Sequence, residues 1–220
     1  MDHEFWQERW RTNRIAFHQG RVNTMLERHY TRLALVPGDC VFVPMCGKAF
    51  DMLWLRQRRQ RVLGVELSET AVQAFFTDNE LAVTVCPDGR HSRHATEGIA
   101  LLCGDLFDLS DGQLTGVGAV YDRAALIALP PPMRSRYVRY LASIRPRTAS
   151  TLLVTLEYPP DQIEGPPFSV VPDEIRALFG STHAVEHVDT RDALGDDDGL
   201  RERGLTELTE HAFLLRPLPR

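Results

Sequence analysis

A doubly wound α/β fold with a mostly parallel sheet follows from three features of this sequence. Short, nearly continuous apolar runs at Cys40–Met45, Arg61–Val65, Ile99–Cys103, Val117–Tyr121 and Thr151–Leu156 have the pattern of strands covered on both faces. Stretches with helical spacing of apolar residues alternate with them, as βαβ units require. Charged residues stand just where these runs end, at Glu66, Asp105 and Asp122-Arg123, and open α/β sheets bind their ligands outside the carboxyl ends of the strands.

The central stretch is DCVFVPMCGKAFDMLWLRQRRQRVLGVELSE, from Asp39 to Glu69. It reads as strand, glycine turn at Cys46-Gly47-Lys48, helix over Ala49–Gln60, and a second strand ending at Glu66. An acid about 20 residues past the first turn can take both hydroxyls of a ribose. It can also cap the helix beginning near Ser68, and both readings of Glu66 stand. The turn carries one glycine, so the G-x-G-x-x-G dinucleotide fingerprint is absent, which weighs against a nicotinamide or flavin cofactor.

Ahead of this unit, residues 1–35 form a predicted helical cap rich in large rings: Phe5, Trp6, Trp10 and Phe17. Trp6 and Trp10 are four apart and share a helix face, suited to packing on the sheet or to roofing a pocket. Val22–Leu35 continues as helix until Pro37-Gly38 turns the chain into the first strand. After Glu66, Ser68 introduces a helix through Glu80, and the polar stretch Val83–Gly98, with His91, Arg93 and His94, is expected to be a surface loop. Asp105 and Leu106, at the end of the third strand, suit an adenine amino group and ring face. Asp122-Arg123 closes the fourth strand, where the arginine can face a ligand carboxylate or pair locally.

Pro130-Pro131-Pro132 starts a helix through Tyr140. Thr151–Leu156 leads into the stiff loop Glu164–Val170, a candidate pocket rim, and Pro172–Phe179 is a short helix. Ala184–Val188 and Glu210–Leu215 are expected as an antiparallel pair at the sheet edge.

With 220 residues, 43% of them apolar, the chain can bury a full core as a single domain. Its halves are 39–125, holding the ligand, and 150–216. The net charge of −5 argues against nucleic acid as a partner. Cys40, Cys46, Cys86 and Cys103 form no metal-ligating spacing and are expected as reduced thiols, those in or beside strands buried. No metal is expected. No apolar run suits a membrane span and MDHEFWQERW lacks a signal-peptide core, so a cytoplasmic protein is expected.

Laid end to end, FWQERW, VPMCGKAFDMLWL, VLGVELSE, FDL, YDRAAL, EGPPF and EIRALFG resemble the thiopurine S-methyltransferase family, within the class I S-adenosylmethionine-dependent methyltransferases. The resemblance covers nearly the whole chain. It implies a Rossmann-like, seven-stranded sheet with the last strand antiparallel and an N-terminal helical lid. It further implies S-adenosyl-L-methionine as cofactor, bound by Trp10, Met45, Glu66, Asp105, Leu106 and Arg123, with Phe17 and Arg123 near the acceptor. Met45 stands where relatives usually have leucine, a volume-conserving exchange. The acceptor class implied is a thiopurine or other aromatic or heterocyclic thiol, or a selenium or tellurium species, and the protein is expected to be a monomer. No general base is expected, because no histidine ends a strand. A dehydrogenase-like nucleotide binder and a catalytically silent relative are the competing readings.

Overall fold

The computed structural model describes residues 3–15, 18–196 and 198–219. Among these residues nine strands form one sheet: β1 (Cys40–Pro44), β2 (Arg61–Glu66), β3 (Thr84–Asp88), β4 (His91–Thr96), β5 (Ile99–Cys103), β6 (Val117–Asp122), β7 (Ser150–Glu157), β8 (His183–Asp192) and β9 (Thr209–Pro217). Their order is β3-β4-β5-β2-β1-β6-β7-β9-β8. The five inner strands β5, β2, β1, β6 and β7 are parallel. β9 runs antiparallel to both β7 and β8, as the C-terminal pattern suggested.

The expected seven strands are therefore corrected to nine, and the difference is the hairpin β3–β4. The polar stretch expected to be a loop pairs Thr84↔Ala95 through Asp88↔His91 around a tight Gly89-Arg90 turn, and β4 then joins β5. Its inward positions are histidines, so no apolar alternation announces the strand. His94 stacks on Phe76 with ring centroids 6.4 Å apart, and His91 bonds through Nε2 to the Asp105 carbonyl at 2.9 Å. Cys86, on the outermost strand, is exposed, and Cys103 is half-buried, which corrects the expectation that strand thiols are buried.

Among the described residues eight helices flank the sheet: α1 (His3–Arg11), α2 (Thr24–His29), α3 (Asp51–Gln57), α4 (Glu69–Asp78), α5 (Ala125–Ala128), α6 (Pro131–Ile144), α7 (Pro172–Phe179) and α8 (Asp198–Glu202). Two are shorter than their apolar spacing predicts. α2 begins at Asn23, whose side chain accepts from the Met25 and Leu26 N–H groups, and tightens into a 3-10 turn over Tyr30–Leu33. α3 ends at Gln57 because Arg59 takes a left-handed conformation, φ 62°, before β2.

Alternate residues of each inner strand enter opposite layers, which is why β1 is apolar throughout. Phe42, Val120, Leu153 and Phe213 meet Tyr137 and Leu141 of α6 and Ile175 of α7. Val41, Val62, Leu101 and Leu152 meet Leu26, Leu55 and Phe75 of α2, α3 and α4. Each such side chain, fully buried, contributes about 1.5–3 kcal/mol. A smaller cluster of Tyr158, Ile163, Leu200, Leu205 and Leu208 supports the rim near α8.

Candidate active site

The carboxyl ends of β1, β2, β6 and β7 open onto a cavity of about 170 Å³. Its floor is the turn after β1. Met45 and Gly47 are both left-handed, φ 47° and 51°, a conformation rare for methionine and typical of functional turns. The Cys46 N–H donates to the Val65 carbonyl at 3.0 Å, which stitches the turn to β2. Cys46 itself packs under the turn, where a Cβ on Gly64 would come within 2.6 Å of its Sγ. Burial, and then the neighbouring Glu66 charge, push its thiol well above the usual range, so it serves packing rather than nucleophilic attack.

Glu66 closes β2, 7% exposed and part of the cavity wall. Its Oε2 accepts from the Gly47 N–H at 2.9 Å and its Oε1 from the Ser68 N–H at 2.8 Å. Burial raises its pKa, and the N–H groups of Ser68, Gly47 and Leu67 work against that rise. Held by backbone donors rather than by a cation, this carboxylate retains lone pairs for hydroxyl donors in the cavity.

From the other side α1 lays Trp6, Arg9 and Trp10 against the cavity. The Trp10 ring lies so close to the turn that a Cβ on Gly47 would stand 3.0 Å from it. No other residue type leaves this space at a positive φ. The indole and the glycine thus shape one wall between them.

Arg123, half-buried after β6, also lines the cavity. Its charge lowers the pKa of buried Asp51, against the stronger upward push of burial. Asp122 serves the scaffold. It accepts from the Ala125 N–H at 3.1 Å, the Leu126 N–H at 3.3 Å and the Tyr137 hydroxyl at 2.6 Å, which fixes the start of α5.

Trp10, Met45, Glu66 and Arg123 therefore converge on one cavity. Asp105 and Leu106 do not line it. The Asp105 carboxylate accepts from the Phe107 N–H at 2.9 Å and pairs with His3 of α1 at 2.8 Å, while Leu106 is buried in the core. Phe17 lies outside the described residues.

Among the groups that sequence reasoning missed, three come from outside α1. His18 lines the cavity from the segment after α1 and stacks on Phe50 at 5.9 Å. Burial, then the charges of Lys48 and Arg123, lower its pKa below the usual histidine range. Glu210 of β9, 2% exposed, accepts from Asn23 Nδ2 at 2.8 Å and Arg191 Nε at 2.6 Å. Arg203 follows α8 on the rim. All three come from segments distant in sequence from the β1–β2 unit, and only the pairing of β9 with β7 brings Glu210 in.

The opposite rim is stiffly built. Buried Arg134 of α6 donates to the Leu129 carbonyl at 3.0 Å, to the Ser169 carbonyl at 3.2 Å, and to both oxygens of Glu174 at 2.7 and 2.6 Å. The Phe168 N–H donates to the Ile127 carbonyl at 2.7 Å, and the Tyr158 hydroxyl to the Pro167 carbonyl at 2.6 Å. Pro166 and Pro167 are thereby fixed along the cavity edge. Among the described residues no His, Cys, Asp or Glu cluster is arranged to hold a metal, and no helix is long and apolar enough to cross a membrane.

The fold is shared with solved methyltransferases. An S-adenosylmethionine-dependent methyltransferase from Anabaena variabilis superposes with a TM-score of 0.63 at 14% identity, covering 98% of this chain and 95% of that one. The mycolic acid cyclopropane synthase CmaA1, solved with S-adenosylhomocysteine, superposes with a TM-score of 0.58 at 12% identity over 87% of this chain and 82% of its own. In sequence, a thiopurine S-methyltransferase of Methylococcus capsulatus is 46% identical over 217 residues, 98% of each chain. One from Pseudomonas fluorescens is 45% identical over 216 residues, 98% of this chain and 99% of that one. Residues 1–217 match the family described as Thiopurine S-methyltransferase (TPMT). With its doubly wound sheet, its single-glycine turn and the acid that ends β2, the chain belongs to the thiopurine S-methyltransferase family of S-adenosylmethionine-dependent methyltransferases.

Proposed function

We propose that this cavity transfers a methyl group from S-adenosylmethionine to a soft, polarisable acceptor atom: the sulfur of a thiopurine or other aromatic or heterocyclic thiol, or a selenium or tellurium centre. The observation that carries the reading is the pairing of Glu66 with the Gly47 turn beneath the Trp10 ring. It offers carboxylate lone pairs for sugar hydroxyls beside an aromatic surface, and no glycine-rich cradle for a pyrophosphate.

The bound cofactor supplies an electrophilic methyl group on a sulfonium sulfur. Glu66 would hold the ribose of the bound cofactor, and the turn at Met45 would lie towards its sulfonium end. Asp105, at the end of β5, the strand next to β2, takes the adenine by exchanging its His3 partner, with Leu106 in the core beneath it. Trp6 and Trp10 form the N-terminal lid and keep water out. A thiolate meeting a sulfonium loses charge along the reaction path, so a dry site favours that path over the separated ions. Arg123 orients the acceptor or the methionine carboxylate, with Phe17 near the acceptor. Holding the attacking atom, methyl carbon and leaving sulfur in line supplies most of the acceleration, up to roughly 7–11 kcal/mol in well-aligned systems. The enzyme works as a cytoplasmic monomer.

A panel of thiol, selenium and tellurium acceptors incubated with methyl-labelled S-adenosylmethionine tests this reading. Label is expected on at least one aryl or heteroaryl thiol. Tight cofactor binding with no labelled product from any acceptor overturns it in favour of a silent relative.

A further inference from the structure

The cavity is long in the direction that crosses the strands. Glu66 ends β2, whereas Val154 and Leu156 belong to β7, three strands away in the sheet order. At about 4.8 Å per strand the two ends are separated by roughly 14 Å. The β7 end is walled by Ile127, Leu156, Pro166, Pro167 and Leu200, an apolar surface suited to a flat ring.

Two guanidinium groups overlook this apolar end. Arg203 donates from Nη1 to the Pro166 carbonyl at 3.0 Å. Arg9 lies 4.6 Å over the Phe5 ring, and its Nε is buried without a hydrogen-bond partner. Among the described residues neither forms an ion pair with a carboxylate. Both line the same cavity, and after burial the charges of Arg203 and then Arg14 lower the basicity of Arg9. The acids of the cavity offer no relief. Glu66 is engaged by the Gly47 and Ser68 N–H groups and Glu210 by Asn23 and Arg191, while Lys48 is already paired with Asp78 at 2.8 Å. Two like charges kept near each other at the rim of a partly dry cavity are relieved by an anion placed between them.

We propose that Arg9 and Arg203 form a subsite for a carboxylate carried by the methyl acceptor, so that the preferred acceptors are aryl or heteroaryl thiols bearing an anionic group. This assignment rests on the methyl-transfer reading above. The planar guanidinium fork matches a carboxylate, and the apolar wall beneath takes the ring between carboxylate and sulfur. The lid helix and the segment after α8, which each supply one arginine, would be drawn together by the acceptor itself.

The test compares 4-mercaptobenzoate with its methyl ester, which keeps the ring and the thiol and loses the charge. kcat/KM with S-adenosylmethionine is expected to be about tenfold higher for the acid, as for one charge-assisted hydrogen-bonded pair. Arg203→Gln and Arg9→Gln are each expected to bring that ratio towards one, and Arg203→Lys to restore part of it. Binding of both compounds to the S-adenosylhomocysteine complex is followed by calorimetry in parallel, so that slow turnover does not mask the preference. Equal use of acid and ester, or a ratio unmoved by the substitutions, overturns the subsite. So does a loss of S-adenosylmethionine affinity in both variants as large as the loss for the acid, which would give the arginines to the cofactor's own carboxylate. Binding of the acid in preference to the ester without methylation of either supports the subsite and overturns the transfer reading instead.

Discussion

The Glu66 carboxylate accepts from the Gly47 N–H at 2.9 Å, which ties the end of β2 to the turn that leaves β1. Two adjacent strands thereby present one acid and one turn as a unit. Glu66→Gln keeps the size of the side chain, but its amide places a donor where an acceptor is needed. The Kd for S-adenosylmethionine is expected to rise about 10- to 100-fold by calorimetry, the worth of a charge-assisted hydrogen bond. An unchanged Kd would remove Glu66 from the sugar.

Gly47 combines a positive φ with contact to Trp10. Gly47→Ala adds about 1–2 kcal/mol of backbone cost and pushes a methyl group against the indole. For a chain of this size Tm should fall by about 2–8 °C. Cofactor affinity should weaken as well, because the displaced ring belongs to the cavity wall. Scanning calorimetry and ligand titration on the same sample separate the two effects.

Asn23 joins three elements. It caps α2, its N–H donates to Asp51 at 2.8 Å, and its side chain donates to Glu210 at 2.8 Å. Asn23→Ala removes the cap, about 1 kcal/mol, and one donor to a buried carboxylate, about as much again. The expected result is a Tm lower by about 4–8 °C. A shift of only about 2–4 °C would show that Arg191 alone satisfies Glu210, and one under about 1 °C would remove the cap contribution as well.

Two buried groups make opposite demands on pH. Burial, opposed by the Tyr137 hydroxyl and two N–H groups, raises the Asp122 pKa from 3.8 to about 6. The folded state thus holds this proton more tightly than the unfolded chain, and the contribution of Asp122, roughly 3 kcal/mol, is present below pH 3.8 and lost as pH rises to about 6. His183, buried beside Arg145, is lowered from 6.5 to about 4, so its contribution is present above pH 6.5 and lost as pH falls to about 4. The Tm of Asp122→Asn relative to the native chain should rise from pH 4 to pH 7. That of His183→Gln should rise in the other direction, from pH 7 to pH 4. Parallel curves for all three proteins would contradict both assignments.

If the acceptor ionises by itself, the acidic limb of kcat/KM follows the acidity of each thiol. A series of thiols of graded acidity should shift that limb one for one, in the native enzyme and in His18→Gln alike. A limb fixed at one pH across the series, and lost in His18→Gln, would make the imidazole of His18 the base.

Much of the fold was legible because its inner strands are buried on both sides. Val41, Phe42 and Val43 are apolar in succession for that reason, and Glu66 breaks the run of β2 where the cavity begins. The hairpin β3–β4 escaped because its inward residues are His91 and His94, which satisfy their polar atoms locally and leave no apolar alternation. In the site, Glu66 and Arg123 could be located from their places at strand ends and Trp10 from its helix face, whereas Met45 was implied only by the family resemblance. Glu210 and Arg203 could not, since a carboxylate on an edge-side strand and an arginine after a short helix look like solvated surface until β9 is inserted beside β7.

The guanidinium of Arg134 anchors the proline rim to α6 and α7 through four hydrogen bonds. A wall clamped in this way contrasts with the facing one, where α1 is held by the His3 pair with Asp105 and by the seat of an indole on a glycine. On the proposed reading, in which α1 is the lid, the side held by one histidine–carboxylate pair and one ring contact is the side expected to yield first to a departing cofactor.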